Sequence, residues 1–502
     1  MFVLLVESMI KSKGKYWSAL IAGCLCLAPT SYGASIFTNG PSIFTNFFSF
    51  PSVATNNLGV RTNFSGASSQ AGLALYSNTL FGTATLGGTN GGGTLFKVNT
   101  DGSGFSSLYQ FTDKGTPTAS VLPIGNVLYG DSPMGGTNGT GAIFRIAQDG
   151  TGFTNLYRFS LLLNLDPHGK YTNSDGAHPE GSLVQCGSAL YGTATDGGQY
   201  GSGGIFRINT DGTGFTNLYS FSPLSSSALT NADGAHPTSG MVIEAGRLYG
   251  TTEFGGIGGA GTVFRLNLDA SGFTNLYSFS PPINFTNGDG AYVFSGLTVT
   301  NGRVFGTTLG GGKFGNGTLF GLNVDGSGFT NLHAFTTMVG LTNLDGAKPI
   351  APLILVSNTL YGTTQLGGRD GLGGIFAVQT DGTTYQELYS FRRANPNSGG
   401  ADTNYDGSLP QAGLIYSAGT FYGTTPNGGS SGEGGIYALS LGPISLNIRN
   451  TGSQNIVTWG NPAFSVLVAT NLASPFTPVP GAVSPYTNYN SGGQKLFRLQ
   501  AL

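Results

Sequence analysis

The stretch LYGTATDGGQYGSGGIFRINTDGTGFTNLYSF, running from Leu190 to Phe221, decides the fold. It contains three short runs rich in β-branched and aromatic residues. Each is bounded by Gly, Asp or Asn, the pattern of strands and their turns. Asp211-Gly212 favours a hairpin turn with positive φ. A fourth run, Gly181-Ser182-Leu183-Val184, precedes the stretch. No segment sustains a helical period.

The same unit recurs along the chain. Its aromatic-Gly step appears at Phe81-Gly82, Tyr129-Gly130, Tyr191-Gly192, Tyr249-Gly250, Phe305-Gly306, Tyr361-Gly362 and Tyr422-Gly423. Four strands in units of about 56 residues describe propeller blades. The last unit lacks a Phe-Thr-Asn segment after Gly435-Ile436-Tyr437-Ala438-Leu439, and Phe44-Thr45-Asn46-Phe47-Phe48-Ser49-Phe50 aligns with Phe215 to Phe221. The N-terminal strand is therefore expected to complete the last blade, since closure removes two exposed sheet edges. A β-solenoid would use shorter repeats and need no such complementation. The expected fold is all-β: a seven-bladed β-propeller over residues 35–442, closed by an N-terminal strand, plus a small C-terminal β module. That module, residues 443–502, reads as sandwich-like, with strands at Ile456–Trp459, Ser465–Val468 and Leu496–Leu499 and turns at Pro475, Pro478, Pro480 and Pro485.

Composition narrows the function. Lys+Arg 21 against Asp+Glu 23 leaves no basic field for phosphate neutralisation, so nucleic acid is not an expected partner. Aromatic residues at 12% supply a core, which argues against disorder. Lys11, Lys13 and Lys15, an apolar run from Trp17 to Ala28 and the small residues Gly33-Ala34-Ser35 read as an export signal over residues 1–34. The run is too short for a comfortable membrane span. Ile21-Ala22-Gly23-Cys24 resembles a lipidation box, but apolar residues continue past Cys24, which favours cleavage near Ala34. Only Cys186 then remains, read as a small apolar residue rather than a catalytic thiol. The expected location is secreted or cell envelope, with no transmembrane segment in the mature chain, which is expected to be a monomer.

Most aspartates have a repeated place. Asp101, Asp149, Asp211, Asp269, Asp325 and Asp381 occupy the hairpin turn, and Asp175, Asp233, Asp289, Asp345 and Asp406 an Asn-x-Asp-Gly motif. Turn-making explains both sets. Asp402-Thr403-Asn404-Tyr405-Asp406-Gly407 also matches the first half of a calcium loop, with Asp402, Asn404 and Asp406 as candidate ligands, although Gly413 stands where the closing Glu belongs. Asp131, Asp196, Glu253, Asp370 and Glu433 lie in or beside the Gly-rich loops, mostly at non-equivalent positions. Structural roles tend to repeat, so these five are the candidate binding residues. His178 and His236 share an Asp-Gly-Ala-His-Pro motif, but Tyr292, Lys348 and Leu409 replace them elsewhere, which favours loop packing over a metal ring. No nucleophile elbow or phosphate loop is present.

The unit Leu-Tyr-Gly-Thr-Thr, Gly-Gly, Gly-Thr-Val-Phe-Arg, Asp-Gly, Phe-Thr-Asn-Leu-Tyr-Ser-Phe resembles the GloVer tandem repeat of exported bacterial proteins, over about residues 42–442. The resemblance implies a propeller with a C-terminal attachment module and transfers no catalytic residue. The expected function is an exported, non-enzymatic binding or surface-interaction protein, taking a glycan or extracellular protein on the loop face. A carbohydrate-active enzyme using the loop carboxylates and a purely structural envelope protein are the alternatives.

Overall fold

The computed structural model describes residues 26–27, 43–56, 59–112, 115–166, 169–225, 229–393, 395–396, 402–441, 446–450, 454–459, 464–469, 477–479, 486–489 and 496–501. Over these residues the chain is all-β, without a helix. No helix there is long and apolar enough to cross a membrane. The chain divides into two compact units, and Phe44–Ile354 with Leu360–Ala438 form the larger.

The decisive stretch folds as read. Val184–Cys186, Ala189–Ala194, Gly204–Asn209 and Thr216–Ser220 form an antiparallel sheet in chain order. Among the described residues the pattern recurs in five further consecutive four-stranded sheets, such as Val242–Glu244, Arg247–Thr252, Thr262–Asn267 and Thr274–Ser278. A seventh such sheet orders Ile43–Ser49, Gly435–Ser440, Thr420–Thr425 and Ile415–Ser417, so the N-terminal strand takes the fourth-strand place that the last repeat leaves open.

The aromatic-Gly step has a packing reason. Gly250 lies opposite Phe264 of the third strand. A Cβ on Gly250 would come within 2.5 Å of the Phe264 ring, and one on Gly130 or Gly362 within 2.6 Å of Phe144 or Phe376. The missing side chain lets the ring lie flat across the strand. The hairpin aspartates act as expected: Asp211 Oδ1 accepts the Thr213 N–H at 2.9 Å and its hydroxyl at 2.7 Å, with Gly212 at φ 90°.

Neighbouring sheets meet through stacked rings. Tyr157 of one unit stacks on Phe215 of the next at 3.7 Å, Tyr219 on Phe273 at 4.0 Å and Tyr277 on Phe329 at 4.1 Å. The N-terminal strand joins this series at both ends: Phe44 stacks on Tyr389 at 4.0 Å, and Phe48 on Phe105 at 3.7 Å. Phe50, Tyr422 and Ile436 share a core with Leu73, Leu80, Phe96 and Val98 of the first repeat.

The smaller unit carries Leu446–Asn450, Gln454–Trp459 and Tyr486–Tyr489 in one sheet. Cys26–Leu27, Leu496–Ala501, Phe464–Ala469 and Thr477–Pro478 form another. The expected strands are present, but Pro478 is in a strand rather than a turn. It stands opposite Leu467 on a strand that, among the described residues, is at the edge of its sheet, where proline is tolerated. Residues 1–34 of the expected leader lie outside the described residues, Cys24 and Ala34 included, apart from Cys26 and Leu27. Pro475, Pro480 and Pro485 do so too. Cys186 departs from expectation: it ends a strand with its side chain exposed, because the first strand of each unit is only half covered.

Candidate functional site

The Asn-x-Asp-Gly motif is a clamp between repeats. Asn173 Oδ1 takes the N–H of Gly176 and of Gly198, both at 2.9 Å, while its Nδ2 donates to the carbonyls of Ser160 and Gly176. Asp175 Oδ2 takes the Tyr157 hydroxyl at 2.8 Å and the Ser160 N–H at 2.9 Å. Asp233 with Tyr219, Asp289 with Tyr277 and Asp406 with Tyr389 repeat the contact. Burial and the neighbouring carboxylate push these tyrosine hydroxyls far above their ordinary pKa.

The same clamp bears on the calcium reading. Asn404 spends its whole amide on backbone, donating to Arg392 and Gly407 and accepting from Gly407 and Gly429. Asp406 is turned to Tyr389 and the Arg392 N–H, and Asp402 is exposed in a short strand opposite Pro396. Asn404 and Asp406 thus meet on the Arg392 backbone, one at its carbonyl and the other at its N–H. No group of three or more His, Cys, Asp or Glu among the described residues is arranged to hold a metal ion.

This rigid frame presents seven equivalent positions. Ser68, Thr116, His178, His236, Tyr292, Lys348 and Leu409 all have φ between 38° and 63°. Each N–H donates to a carbonyl in the Gly-rich loop of a neighbouring repeat, from Thr116 to Gly92, His178 to Thr140 and His236 to Ser202 round to Ser68 to Glu433. A left-handed backbone at a residue with a side chain is strained by roughly 1 kcal/mol or more. The backbone is thus held constant while the side chain changes seven times. Near these positions Tyr171, Phe285, Leu341 and Tyr405 are exposed, each within two residues of the clamp Asn.

Chemistry gathers at the second to fourth repeats. Asp196 Oδ2 lies 2.8 Å from His178 Nδ1, and its Oδ1 3.4 Å from His236 Nδ1. Burial opposes its ionisation, but the two imidazoles outweigh burial and hold the carboxyl below its usual range. The hydrogen bond that His178 donates to Asp196 raises its pKa, whereas burial lowers that of His236. Burial, then the charges of Glu180 and Asp196, push Glu253 up to about 7. Glu180 is itself raised, by burial and then by Asp196. Asp131 is 2% exposed, and neither carboxyl oxygen has a hydrogen-bond partner. Burial first, and Glu180 second, push its pKa well above the usual carboxylate range.

Asp131 lies beside its Gly-rich loop rather than in it. It lies within Val127–Ser132, opposite Ile143. Its equivalents are threonines: Thr193 donates to the Ser239 carbonyl at 3.0 Å, Thr251 to Ser295 at 2.9 Å and Thr424 to Ala71 at 2.9 Å. These bonds surround a cavity of about 330 Å³ lined from all seven repeats, in which Glu180 is the charged side chain. Two residues past each left-handed position stand Gln70, Thr118, Glu180, Thr238, Phe294, Ile350 and Gln411. Departure from the repeat at Glu180 was a readable signal, but it falls before the first strand rather than in a Gly-rich loop.

The five expected binding residues do not form one site. Asp131, Asp196 and Glu253 meet in the cluster with Glu180, His178 and His236. Glu433 pairs with Arg61 at 2.7 Å. Asp370 is exposed and takes the Arg393 N–H at 3.0 Å.

A model of the Gloeobacter/Verrucomicrobia repeat matches residues 164–283 and 282–451, more than half of the chain. No curated protein matches. Among solved structures, the oligogalacturonate lyase of Vibrio parahaemolyticus is 8% identical with a TM-score of 0.42, covering 80% of this chain and 98% of that one. TolB from Acinetobacter baumannii is 13% identical, with a TM-score of 0.36 and 66% of each chain covered. A nidogen/laminin complex chain is 13% identical, with a TM-score of 0.36, covering 62% of this chain and 93% of that one.

Proposed function

Because the chain belongs to the Gloeobacter/Verrucomicrobia repeat family, we propose that it is an exported, non-enzymatic binding or surface-interaction protein. Its scaffold is a closed seven-bladed propeller within residues 35–442, with residues 443–502 as an attachment module. Its ligand is a glycan or an extracellular protein, met by the varied loop positions. One observation carries the reading. Seven positions share one strained backbone and one inter-repeat hydrogen bond, yet hold Ser, Thr, His, His, Tyr, Lys and Leu. A purely structural ring needs no such variety, whereas a binding face does. The exposed Tyr171, Phe285 and Tyr405 add apolar surface nearby.

The test is retention of residues 35–502 on a panel of insoluble polysaccharides. Selective retention is expected, and it should fall when Tyr292 or Lys348 is changed to Ala. Retention on no polymer and on no extracellular protein fraction would leave a structural role.

An enzymatic reading has one observation of its own. Asp196 is held below its usual range while Glu253 is pushed up to about 7, the division that acid–base catalysis uses. New reducing ends on the retained polymer, lost in Glu253→Gln, would establish it.

A further inference from the structure

We propose that the groove beside the strand Thr216–Ser220 binds an uncharged polysaccharide chain through the side chains of Asn164, Ser174, Gln199 and Tyr200. The proposal rests on the glycan reading and gives the glycan a place of its own, apart from the seven left-handed positions.

Three segments line the groove: the fourth strand Thr216–Ser220, the run from Ser160 to the paired strand Asn164–Leu165, and the tip Gln199-Tyr200 of the Gly-rich loop. It encloses about 900 Å³, within the range of roughly 300–1,000 Å³ for small-molecule sites. Among the described residues that line it there is no Asp, Glu, Lys, Arg or His. A uronate would shed water there without gaining a cation, and a protonated amine would find no carboxylate. A neutral sugar loses least on entering.

The polar side chains divide into two sets. Asn173 is spent on the clamp, and Asn217 Nδ2 donates to the Ser174 carbonyl and to Ser220 Oγ, both at 3.0 Å. Asn164, Ser174 and Gln199, by contrast, are exposed. Their side chains, and the Tyr200 hydroxyl, make no bond to the described residues. Two amides and two hydroxyls are thus open to a ligand. Beside them Leu161 is 45% and Leu163 73% exposed, and the Tyr200 ring is half-buried. Open amides next to apolar surface and a ring match a hexose, which has hydroxyl edges and C–H faces.

The tip is held in advance of any ligand. The Gly198 N–H donates to Asn173 Oδ1 at 2.9 Å, and the Gln199 N–H to Ser220 Oγ at 3.4 Å. Gly198 and Gly201, at φ 72° and 68°, bend the chain on either side of Gln199-Tyr200. A Cβ on Gly201 would come within 3.0 Å of the Tyr171 carbonyl, so the tip rests on the neighbouring loop. A backbone already fixed lowers the ordering cost of binding. The repeat itself does not ask for Gln-Tyr: the same tip reads Ile257-Gly258, Lys313-Phe314 and Arg369-Asp370 in the next three repeats.

Titration calorimetry on residues 35–502 tests this with cellohexaose, mannohexaose and maltohexaose. A galacturonate hexamer, a chitosan hexamer and an uncharged Ser-Pro-Gln peptide are run beside them. At least one neutral hexamer is expected to bind, with an affinity that raised salt leaves unchanged. Tyr200→Ala should weaken it about tenfold and Gln199→Ala about fivefold, for a lost ring face and a lost neutral hydrogen bond. Ile257→Ala, at the same tip of the next repeat, should leave it as it was. Neither the Gln199 amide nor the Tyr200 hydroxyl bonds to the fold, so both melts should match the parent, and if Tyr200→Ala misfolds then Gln199→Ala decides. Binding that neither substitution weakens overturns the groove. Tightest binding by a charged hexamer overturns the uncharged class, and tightest binding by the peptide overturns the sugar. Binding of no neutral hexamer also overturns the proposal. The broader glycan reading survives that result if an insoluble polysaccharide is still retained through Tyr292 or Lys348, and falls with it if none is.

Discussion

At the scale of single residues, Asp131 shows what one departure from a repeat does. Six equivalent threonines bond across to a neighbouring backbone carbonyl, as Thr193 does to Ser239. Asp131 makes no such bond, and burial pushes its carboxyl well above the usual range. Asp131→Thr should restore the bond to the Gly181 carbonyl and stabilise the fold by about 1–3 kcal/mol, the usual penalty of an unsatisfied buried group. Thermal denaturation checks this, and an unchanged or lower midpoint would refute it. Glu253 supplies a pH test. Its folded pKa lies above its unfolded value, so the folded state binds the extra proton between about 4.5 and about 7. Its contribution to stability is full below that window and is lost as pH rises through it. Glu253→Gln cannot titrate and should flatten that part of the stability curve, measured by urea denaturation across the same pH range. The aspartate turns were readable in sequence because their bonds span two residues and recur six times. The Asp196–His178 and Asp196–His236 contacts were not, because they join separate loops that only the fold brings together. Alignment with Thr193 places Asp131 in the strand beside its Gly-rich loop, but its missing cross-repeat bond is visible only in the fold.

The aromatic-Gly step links a dipeptide to the whole sheet at the scale of the element. Gly250 has an ordinary strand conformation, so its role is space rather than backbone freedom. Gly250→Ala would drive a methyl into the Phe264 ring, with Met241 3.0 Å from it on another side. Overpacking of this kind destabilises by about 1–3 kcal/mol. A lower melting midpoint with unchanged far-ultraviolet dichroism is the expected result. Phe264→Leu in the same chain should recover part of the loss, because it removes the ring edge the methyl meets. The sequence displayed this step seven times, and its period revealed the sheets. It did not display the Tyr–Asp clamp. Tyr157 and Asp175 each have a sufficient local reading, one as a strand aromatic and one as a turn former, and only the connecting loop joins them.

On the scale of the whole molecule the question is whether the first and last repeats hold each other. Phe44-Thr45-Asn46-Phe47-Phe48-Ser49-Phe50 matched the missing fourth strand by sequence alone, because the gap and its filler share one motif. Phe48 stacks on Phe105 at 3.7 Å and Phe44 on Tyr389 at 4.0 Å, the distances found between neighbours inside the chain. Asn46 and Ser49 reach the carbonyl of Tyr405 and the N–H of Ser430. A strand so placed pairs the open side of Gly435–Ser440 and stacks on both neighbouring repeats. Deleting residues 35–50 removes the ring stacks to both neighbouring repeats and a full strand ladder. It should lower the melting midpoint by well over ten degrees and turn the chain toward association, which light scattering would detect. Phe48→Ala removes one inter-repeat stack and leaves the ladder, so a smaller loss is expected. Phe105→Ala, on the other side of that junction, should cost as much as Phe273→Ala, whose ring meets Tyr219 in the interior of the series. If the ends close a ring, the junction and an internal interface are alike and those two losses should agree. A Phe105→Ala loss much below that of Phe273→Ala would mean that the ends merely lie side by side, and the closed propeller would have to be abandoned.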